Sequence, residues 1–240
     1  VIVIGRDAEK LLLRYGGMTP AKIRFIPNWA TLAPGNRPVS PDNPFRKAIA
    51  ARFVVGLSGN LGFTHDPDIV FQAARLLREE RDIHFLLSGW GMGFARLKDM
   101  QAAAQLANVT LVDRVADSEL DALLSSADAW LIPYRKDVAG VSVPSRFYNL
   151  LAAGRPVILV SEPEAEAALT VSENGLGWVV TPGRPDQLAD AVRLASRSQD
   201  TGMAERAVAT ARSFSPERAL ASYAALVAEL LSDRDVERTA

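Results

Sequence analysis

From Phe53 to Val180 the chain alternates short apolar runs with longer amphipathic segments, and this alternation restricts the available folds more than any other feature. The runs Phe53–Ser58, His84–Ser88, Val109–Val112, Ala129–Pro133, Val157–Val160 and Gly177–Val180 read as strands. Between them lie segments with helical spacing. Ile69–Glu80 carries Ile69, Val70, Ala73, Leu76 and Leu77 on one face, Ser118–Ala127 carries Leu120, Leu123 and Leu124, and Asp186–Ser196 carries Leu188, Ala191, Val192 and Ala195. Strands joined through helices pair in parallel, because a parallel neighbour is reached only by a crossover long enough to hold a helix. The pattern therefore predicts an α/β fold with a doubly wound, mostly parallel, six-stranded Rossmann-like sheet. In such sheets ligands bind beyond the carboxyl ends of the strands, near the point where the strand order reverses, so function is sought in the loops after the strands.

Composition narrows the function. With 240 residues, 48% of them hydrophobic, the chain can bury a substantial core. Its net charge of −1 lacks the basic excess of a nucleic-acid binder, and no nucleic-acid motif is present. There is no cysteine, hence no disulfide, thiolate metal site or thiol nucleophile, and the two histidines cannot by themselves build a metal centre. No run approaches the roughly 18 apolar residues of a spanning helix, and the N-terminus shows no basic region followed by an apolar core. A cytoplasmic protein without a membrane span is expected.

Val1-Ile-Val-Ile4 opens without a turn or cap before it, as a strand of something larger. Asp7–Tyr15 reads as a helix stopped by Gly16-Gly17, and Lys22–Ile26 as a short strand ending at Pro27-Asn28. The stretch Ala33–Phe45, with Pro34, Pro38, Pro41 and Pro44, has the composition of an exposed connector. Residues 1–28 are therefore expected to be the end of a preceding domain, 29–50 a linker and 51–214 the sheet domain. A C-terminal helix, Pro216–Leu231 within 215–231, and a loose tail at 232–240 follow.

The loop after the fourth sheet strand is the richest in chemistry. From Gly140 to Val160 the sequence reads as loop, short helix and strand: Pro144 suits a first helical turn, Ser142 or Ser145 can cap it, and Gly154 with Pro156 ends it. The free amides of such a turn, with the positive end of the helix dipole, form an anion site, to which Arg146 adds a formal charge. Taken alone, the stretch also fits an ordinary well-capped helix–strand joint. Arg135 and Lys136 lie just upstream, and together with Arg146 they could neutralise a diphosphate, or simply be solvated.

Other strand ends supply candidates. After the first strand, Gly59, Asn60 and Gly62 allow close backbone approach to a ligand, and His65 sits beside an acid in the same loop. The loop is neither G-x-G-x-x-G nor a Walker sequence. His84 begins a strand and reads as structural. Trp90, in Gly89-Trp-Gly-Met-Gly93, suits packing on a neighbouring helix better than covering a ligand. The backbone of Arg114 and Val115 could read the edge of a base. Asp66-Pro-Asp68 and Asp233-Arg-Asp235 read as a helix start and a solvated tail, so no metal ligand set is proposed, and Glu162, Glu164 and Glu166, placed where they could meet sugar hydroxyls, read better as a solvated acidic helix.

In order, these elements resemble the C-terminal half of retaining glycosyltransferases of the GT-B fold, of the group designated glycosyltransferase family 4. The landmarks are Ile26-Pro-Asn-Trp29, Ser58-Gly-Asn-Leu-Gly62 with His65-Asp66, Gly89-x-Gly91, Asn108-Val109, Ala127-Asp128 before Ile132-Pro133, Val143-Pro-Ser-Arg146, Gly154-Arg-Pro-Val157 and Gly175-Leu-Gly177. The resemblance is closest to bacterial enzymes that build cell-surface polysaccharides. It implies a domain that binds a nucleoside diphosphate sugar, with no further cofactor, and a separate N-terminal acceptor domain as partner. Peripheral membrane association is expected of the complete protein.

By that resemblance the glycine-rich loop maps to Gly59, Asn60 and Gly62, the base-recognising loop to Arg114 and Val115, and the pyrophosphate loop to Ser142, Val143, Pro144 and Ser145. The ribose-binding acid falls at Asn149, a departure, since two glutamates of the family pattern are here Val141 and Asn149. The family's Arg and Lys of the first loop and following helix are likewise replaced by Phe63 and Asp68. Catalysis would then rest on Arg146 and Lys136 stabilising the leaving diphosphate, in an enzyme whose 240 residues alone are inactive. The alternatives are a non-catalytic nucleotide-sugar-binding module and a sugar-nucleotide epimerase of the same architecture.

Overall fold

The computed structural model describes the backbone of residues 1–239 and the side chains of residues 1–232. A small two-stranded parallel sheet, β1 (Ile2–Val3) and β2 (Arg24–Phe25), flanks α1 (Arg6–Leu12). From Phe53 onward strands and helices alternate: β3 (Phe53–Asn60), α2 (Pro67–Leu76), β4 (Ile83–Trp90), α3 (Met92–Ala104), β5 (Val109–Asp113), α4 (Leu120–Leu124), β6 (Ala129–Pro133), α5 (Ser145–Ala152), β7 (Val157–Val160), α6 (Glu166–Asn174), β8 (Gly177–Val180) and α7 (Pro185–Arg197). Two helices, α8 (Met203–Ser213) and α9 (Pro216–Thr239), complete the chain. None of these helices is long and apolar enough to cross a membrane.

The central strands lie in the order β5-β4-β3-β6-β7-β8, with every neighbouring pair parallel. The chain winds outward from β3 through β4 to β5, then returns to the other side of β3 and winds outward again. The order therefore reverses between β3 and β6, and the loops after these two strands diverge and leave a crevice. Two apolar layers hold the sheet. Val55 and Leu57 of β3 pack with α2, α3 and α7, whereas Val54 packs with α4, α5, α6 and α8.

Several boundaries differ from those the sequence predicts. β3 and β4 run two residues further, through Gly59↔Gly89 and Asn60↔Trp90. A Cβ at Gly89 would stand 2.3 Å from the Gly59 carbonyl oxygen, so the strands continue only because that position lacks a side chain. The segment Ser118–Ala127 holds only a 3₁₀ turn and α4, because the hydroxyls of Ser125 and Ser126 donate to the carbonyls of Asp121 (2.7 Å) and Leu123 (2.6 Å) and end the helix. The acidic segment after β7 does become a helix, α6, but it starts only at Glu166, and the sequence reading holds no counterpart of α8. Glu166, expected in a solvated run, is 3% exposed and bound to Arg6.

Residues 29–50 are largely exposed, as a connector would be, yet they are tied to the sheet domain. Arg46 is buried on Asp128 at 2.7 Å, the Asn43 amide donates to the Ala122 carbonyl at 2.7 Å, and the Gly35 amide donates to that of Ala152 at 2.8 Å. α9 continues past Leu231, where a loose tail is expected. The side chains of Asp233-Arg-Asp235 lie outside the described residues.

Gly56, in the middle of β3, shows how closely one layer is filled. Trp130 is fully buried against it, with the indole N–H donating to the Leu124 carbonyl at 3.1 Å. A Cβ at Gly56 would stand 2.6 Å from the indole and 2.7 Å from the Ala127 Cβ, and neither can withdraw. Gly56→Ala is expected to destabilise the chain by about 1–3 kcal/mol, seen as a lower urea midpoint at unchanged slope. A midpoint equal to that of the unaltered chain would contradict this packing.

Candidate functional site

Two cavities open where the strand order reverses. The first, of about 410 Å³, lies over the ends of β3, β4 and β5 and is closed by Trp29 and Thr31 from the segment before the sheet. The second, of about 460 Å³, lies over the end of β6, between the loop Gly62–His65 and the loop Val141–Pro144. Asn60, Ser145 and Arg146 line both, so the cavities meet at the start of α5.

Arg146 occupies that junction. Its guanidinium donates to the carbonyls of Ser58 and Asn60, the last turns of β3, and passes beside Gly59. Gly59 is required twice over: its φ is +111, and a Cβ there would stand 2.9 Å from the Arg146 Cζ. Among the described residues no carboxylate pairs with Arg146, and burial pushes its pKa down to about 10, so it is still a cation near neutrality. A half-buried charge with only carbonyls for company lacks a counter-ion, and an anion would supply it.

The backbone around Arg146 favours the same ligand. Pro144 is the residue before α5, and neither Ser142 nor Ser145 caps the helix through its side chain, contrary to the sequence expectation. Ser142 instead faces the hydroxyl of Tyr134 at 3.2 Å, and Ser145 is exposed. Among the described residues the amides of Val143, Ser145 and Arg146 therefore donate to no acceptor and are available to a ligand at the positive end of α5.

His65 and Tyr134 form the floor of the second cavity, their rings 5.1 Å apart. His65 is 8% exposed, its Nδ1 lies 3.2 Å from the Thr64 hydroxyl, and its buried Nε2 has no partner among the described residues. Burial, helped by the charges of Arg146 and Arg135, holds its pKa at about 4. Burial likewise pushes Tyr134 up to about 12. Near neutrality both are uncharged hydrogen-bonding groups, suited to hydroxyls more than to ions. Gly62, Val143 and Pro144 complete this lining.

In the first cavity Arg114 lies over the Trp90 indole, 4.8 Å from its centroid, with Val115 beside it. Trp90 is thus 42% exposed at the cavity edge and not packed away on a helix. Asn149 also lines this cavity, but its carbonyl oxygen already accepts from the Thr31 amide (2.8 Å), the Thr31 hydroxyl (3.2 Å) and the Leu32 amide (3.2 Å). Its oxygen has no lone pair left for a ligand hydroxyl while that latch is closed.

Lys136 is not brought to the site: it is exposed and lines neither cavity. Arg135 donates to the His65 carbonyl at 2.7 Å and so fixes the loop. Among the residues that sequence reasoning missed, Tyr134 and Ser88 stand at strand carboxyl ends, where position alone would have flagged them. Trp29 and Thr31 carried no such signal, because they come from the segment read as a linker. Among the described residues no three acidic or histidine side chains are grouped to hold a metal.

Residues 40–214 match the family described as glycosyl transferases group 1. The probable glycosyltransferase WbjE of Pseudomonas aeruginosa is 29% identical over 195 residues, covering 79% of this chain and 47% of that protein. The putative colanic acid biosynthesis glycosyl transferase WcaI of Escherichia coli strain K12 is 28% identical over 184 residues, 75% of this chain and 45% of that protein. The chain thus spans a little under half the length of these two relatives. Among solved structures, a glycosyltransferase from Rickettsia africae ESF-5 superposes with a TM-score of 0.75 at 17% identity, over 96% of this chain and 63% of that one. Anabaena Alr3699/HepE, in complex with UDP and glucose, gives 0.68 at 20% identity, over 97% and 62%. These structural likenesses carry the fold, and the sequence match carries the family: the chain belongs to the glycosyl transferases group 1 and comprises the C-terminal Rossmann-like domain of a GT-B architecture.

Proposed function

We propose that this domain binds the donor of a retaining glycosyltransferase, a nucleoside diphosphate sugar, for the synthesis of a surface polysaccharide. The observation that carries the reading is Arg146, a cation shared by two cavities that has no carboxylate partner among the described residues and is flanked by amides that donate to none of them. The first cavity offers a nucleoside the Trp90–Arg114 platform and the Val115 backbone. The Arg146 junction offers the diphosphate its charge. The second cavity offers the sugar hydroxyls His65 and Tyr134.

In this reading bond breaking at the anomeric carbon leaves growing negative charge on the diphosphate. Arg146 and the amides of Val143, Ser145 and Arg146, held by the fold, would meet that charge with little reorganisation as it grows, which is how fixed donors lower a barrier, each by a few kcal/mol. The acceptor would sit on a preceding domain, of which residues 1–28 are the end. The exposed Leu220, Val227 and Leu230 of α9 suit such a neighbour. The domain alone would bind a nucleoside diphosphate without turning over a donor, and the complete protein would associate peripherally with a membrane.

A thermal-shift screen of UDP, GDP and ADP tests the assignment, since a ligand that binds the folded chain raises its midpoint by mass action. One of the three is expected to bind, and Arg146→Ala to weaken it roughly 10- to 100-fold, the cost of losing a charged hydrogen-bond donor, while leaving the corresponding nucleoside unaffected. Equal diphosphate affinity in Arg146→Ala would remove the basis of the proposal. Isothermal titration provides the affinities.

The buried His65 gives a pH dependence. Its pKa is about 4 in the folded chain against 6.5 when unfolded, so the unfolded state binds the extra proton. The stability contribution is complete above pH 6.5 and is lost as the pH falls toward 4, by roughly 2 kcal/mol between pH 7 and pH 5. Urea unfolding at the two pH values should show that loss in the unaltered chain and a smaller one in His65→Gln. An equal loss in both would mean that His65 is solvated.

A further inference from the structure

The loop that presents the free amides has no regular structure to hold its shape. Two of its residues are left-handed, Asp137 at φ +64 and Gly140 at φ +77, and for the non-glycine this is an unfavourable conformation. A carboxylate meets the amide at each of them. Glu162, just after β7, accepts from the Asp137 amide, and Asp7 accepts from the Gly140 amide at 2.6 Å. Asp7 is not part of the sheet domain. It sits in the first turn of α1, in the segment before the sheet, and is 8% exposed.

The start of α1 is wedged against the same loop. A Cβ on Gly5 would stand 2.9 Å from the Val143 side chain and 3.0 Å from the Glu166 Cβ, and a Cβ on Gly140 would stand 3.2 Å from the Asp7 carbonyl oxygen. Arg6 anchors the wedge from behind. Its amide and Nε donate to the buried Glu166 carboxylate at 2.7 and 2.9 Å, and its other nitrogens reach Glu173 at 3.0 Å. α1 is thereby fixed to α6 on one side and to the loop entering α5 on the other.

We infer that Asp7 is a positioning residue for the anion site: by holding the Gly140 amide, it makes the placement of the Val143, Ser145 and Arg146 donors depend on the segment preceding the sheet domain. The ligand consequence rests on the reading of that site as a diphosphate site. The mechanical link does not. Removing the carboxylate leaves the Gly140 amide facing a buried gap with no acceptor, and the loop relieves this by moving, carrying Ser142 and Val143 with it. Any displacement of residues 1–28 would reach the ligand donors by the same contact.

Amide hydrogen exchange of the whole chain without ligand tests the link. Asp7→Ala is expected to speed exchange at residues 139–146 at least tenfold while the β7 and β8 amides keep their rates. Asp7→Asn, which keeps an oxygen for the Gly140 amide, should fold like the unaltered chain and lie between the two. Unchanged exchange at 139–146 in both variants would overturn the inference. If Asp7→Ala does not fold, Asp7→Asn decides the matter by the same regional comparison. With inorganic pyrophosphate as the probe, Asp7→Ala should bind about tenfold more weakly and Asp7→Asn should recover most of the loss. Pyrophosphate affinity equal in all three forms would limit Asp7 to a structural role and overturn the positioning claim. If the unaltered chain bound neither pyrophosphate nor UDP, GDP or ADP, the diphosphate reading would fall, and the exchange data would still decide the link.

Discussion

The site depends on one guanidinium that has no counter-ion among the described residues. Arg146 joins two elements that the topology would otherwise leave apart, the end of β3 and the start of α5, by donating to the Ser58 and Asn60 carbonyls. Carbonyl oxygens can orient an arginine, but they do not neutralise it. The charge is thus kept partly buried and unspent at the reversal point of the sheet, where two cavities meet. Gly59 makes the arrangement sterically feasible, because the guanidinium occupies the space its side chain would take.

Around this charge the chain divides its polar groups by kind. Uncharged, buried His65 and Tyr134 face one cavity, while Arg114 on Trp90 edges the other. Three carboxylates near the junction are engaged elsewhere: Asp7 and Glu162 hold loop amides, and Asp66 caps α2 by accepting from the Asp68 and Ile69 amides. Keeping negative groups engaged elsewhere preserves the positive potential that an anionic ligand meets at the junction.

Much of this architecture was legible in the sequence because it follows from local periodicity. β6, β7 and β8 have the boundaries the apolar runs predict, and the glycine-rich loop and helix start fall at the strand ends where the reversal rule places a site. The residues misread were those whose role is set by distant partners. Glu166 looks like one of a solvated acidic run, yet Arg6, far away in the chain, buries it. Asn149 is drawn off by Thr31, Trp90 is held at a cavity rim by Arg114, and Lys136 points to solvent, one residue beyond an arginine that is held by His65. The prolines near residue 40 give an exposed connector, but composition carries no sign that Arg46 within it is buried on Asp128. α8 has no counterpart in the sequence reading because its buried face leans on Ala207 and Ala211, which give a weak periodic signal.

In the proposed function the Arg146 charge and the adjacent amides receive a diphosphate. A crystal structure of this chain soaked with whichever of UDP, GDP or ADP binds tests it most directly. The two phosphorus atoms are expected at the junction of the cavities, their oxygens within hydrogen-bonding distance of the Arg146 guanidinium and the Ser145 and Arg146 amides, with the base beside Trp90. A diphosphate bound elsewhere, or bound at the junction with Arg146 turned away from it, would contradict the account.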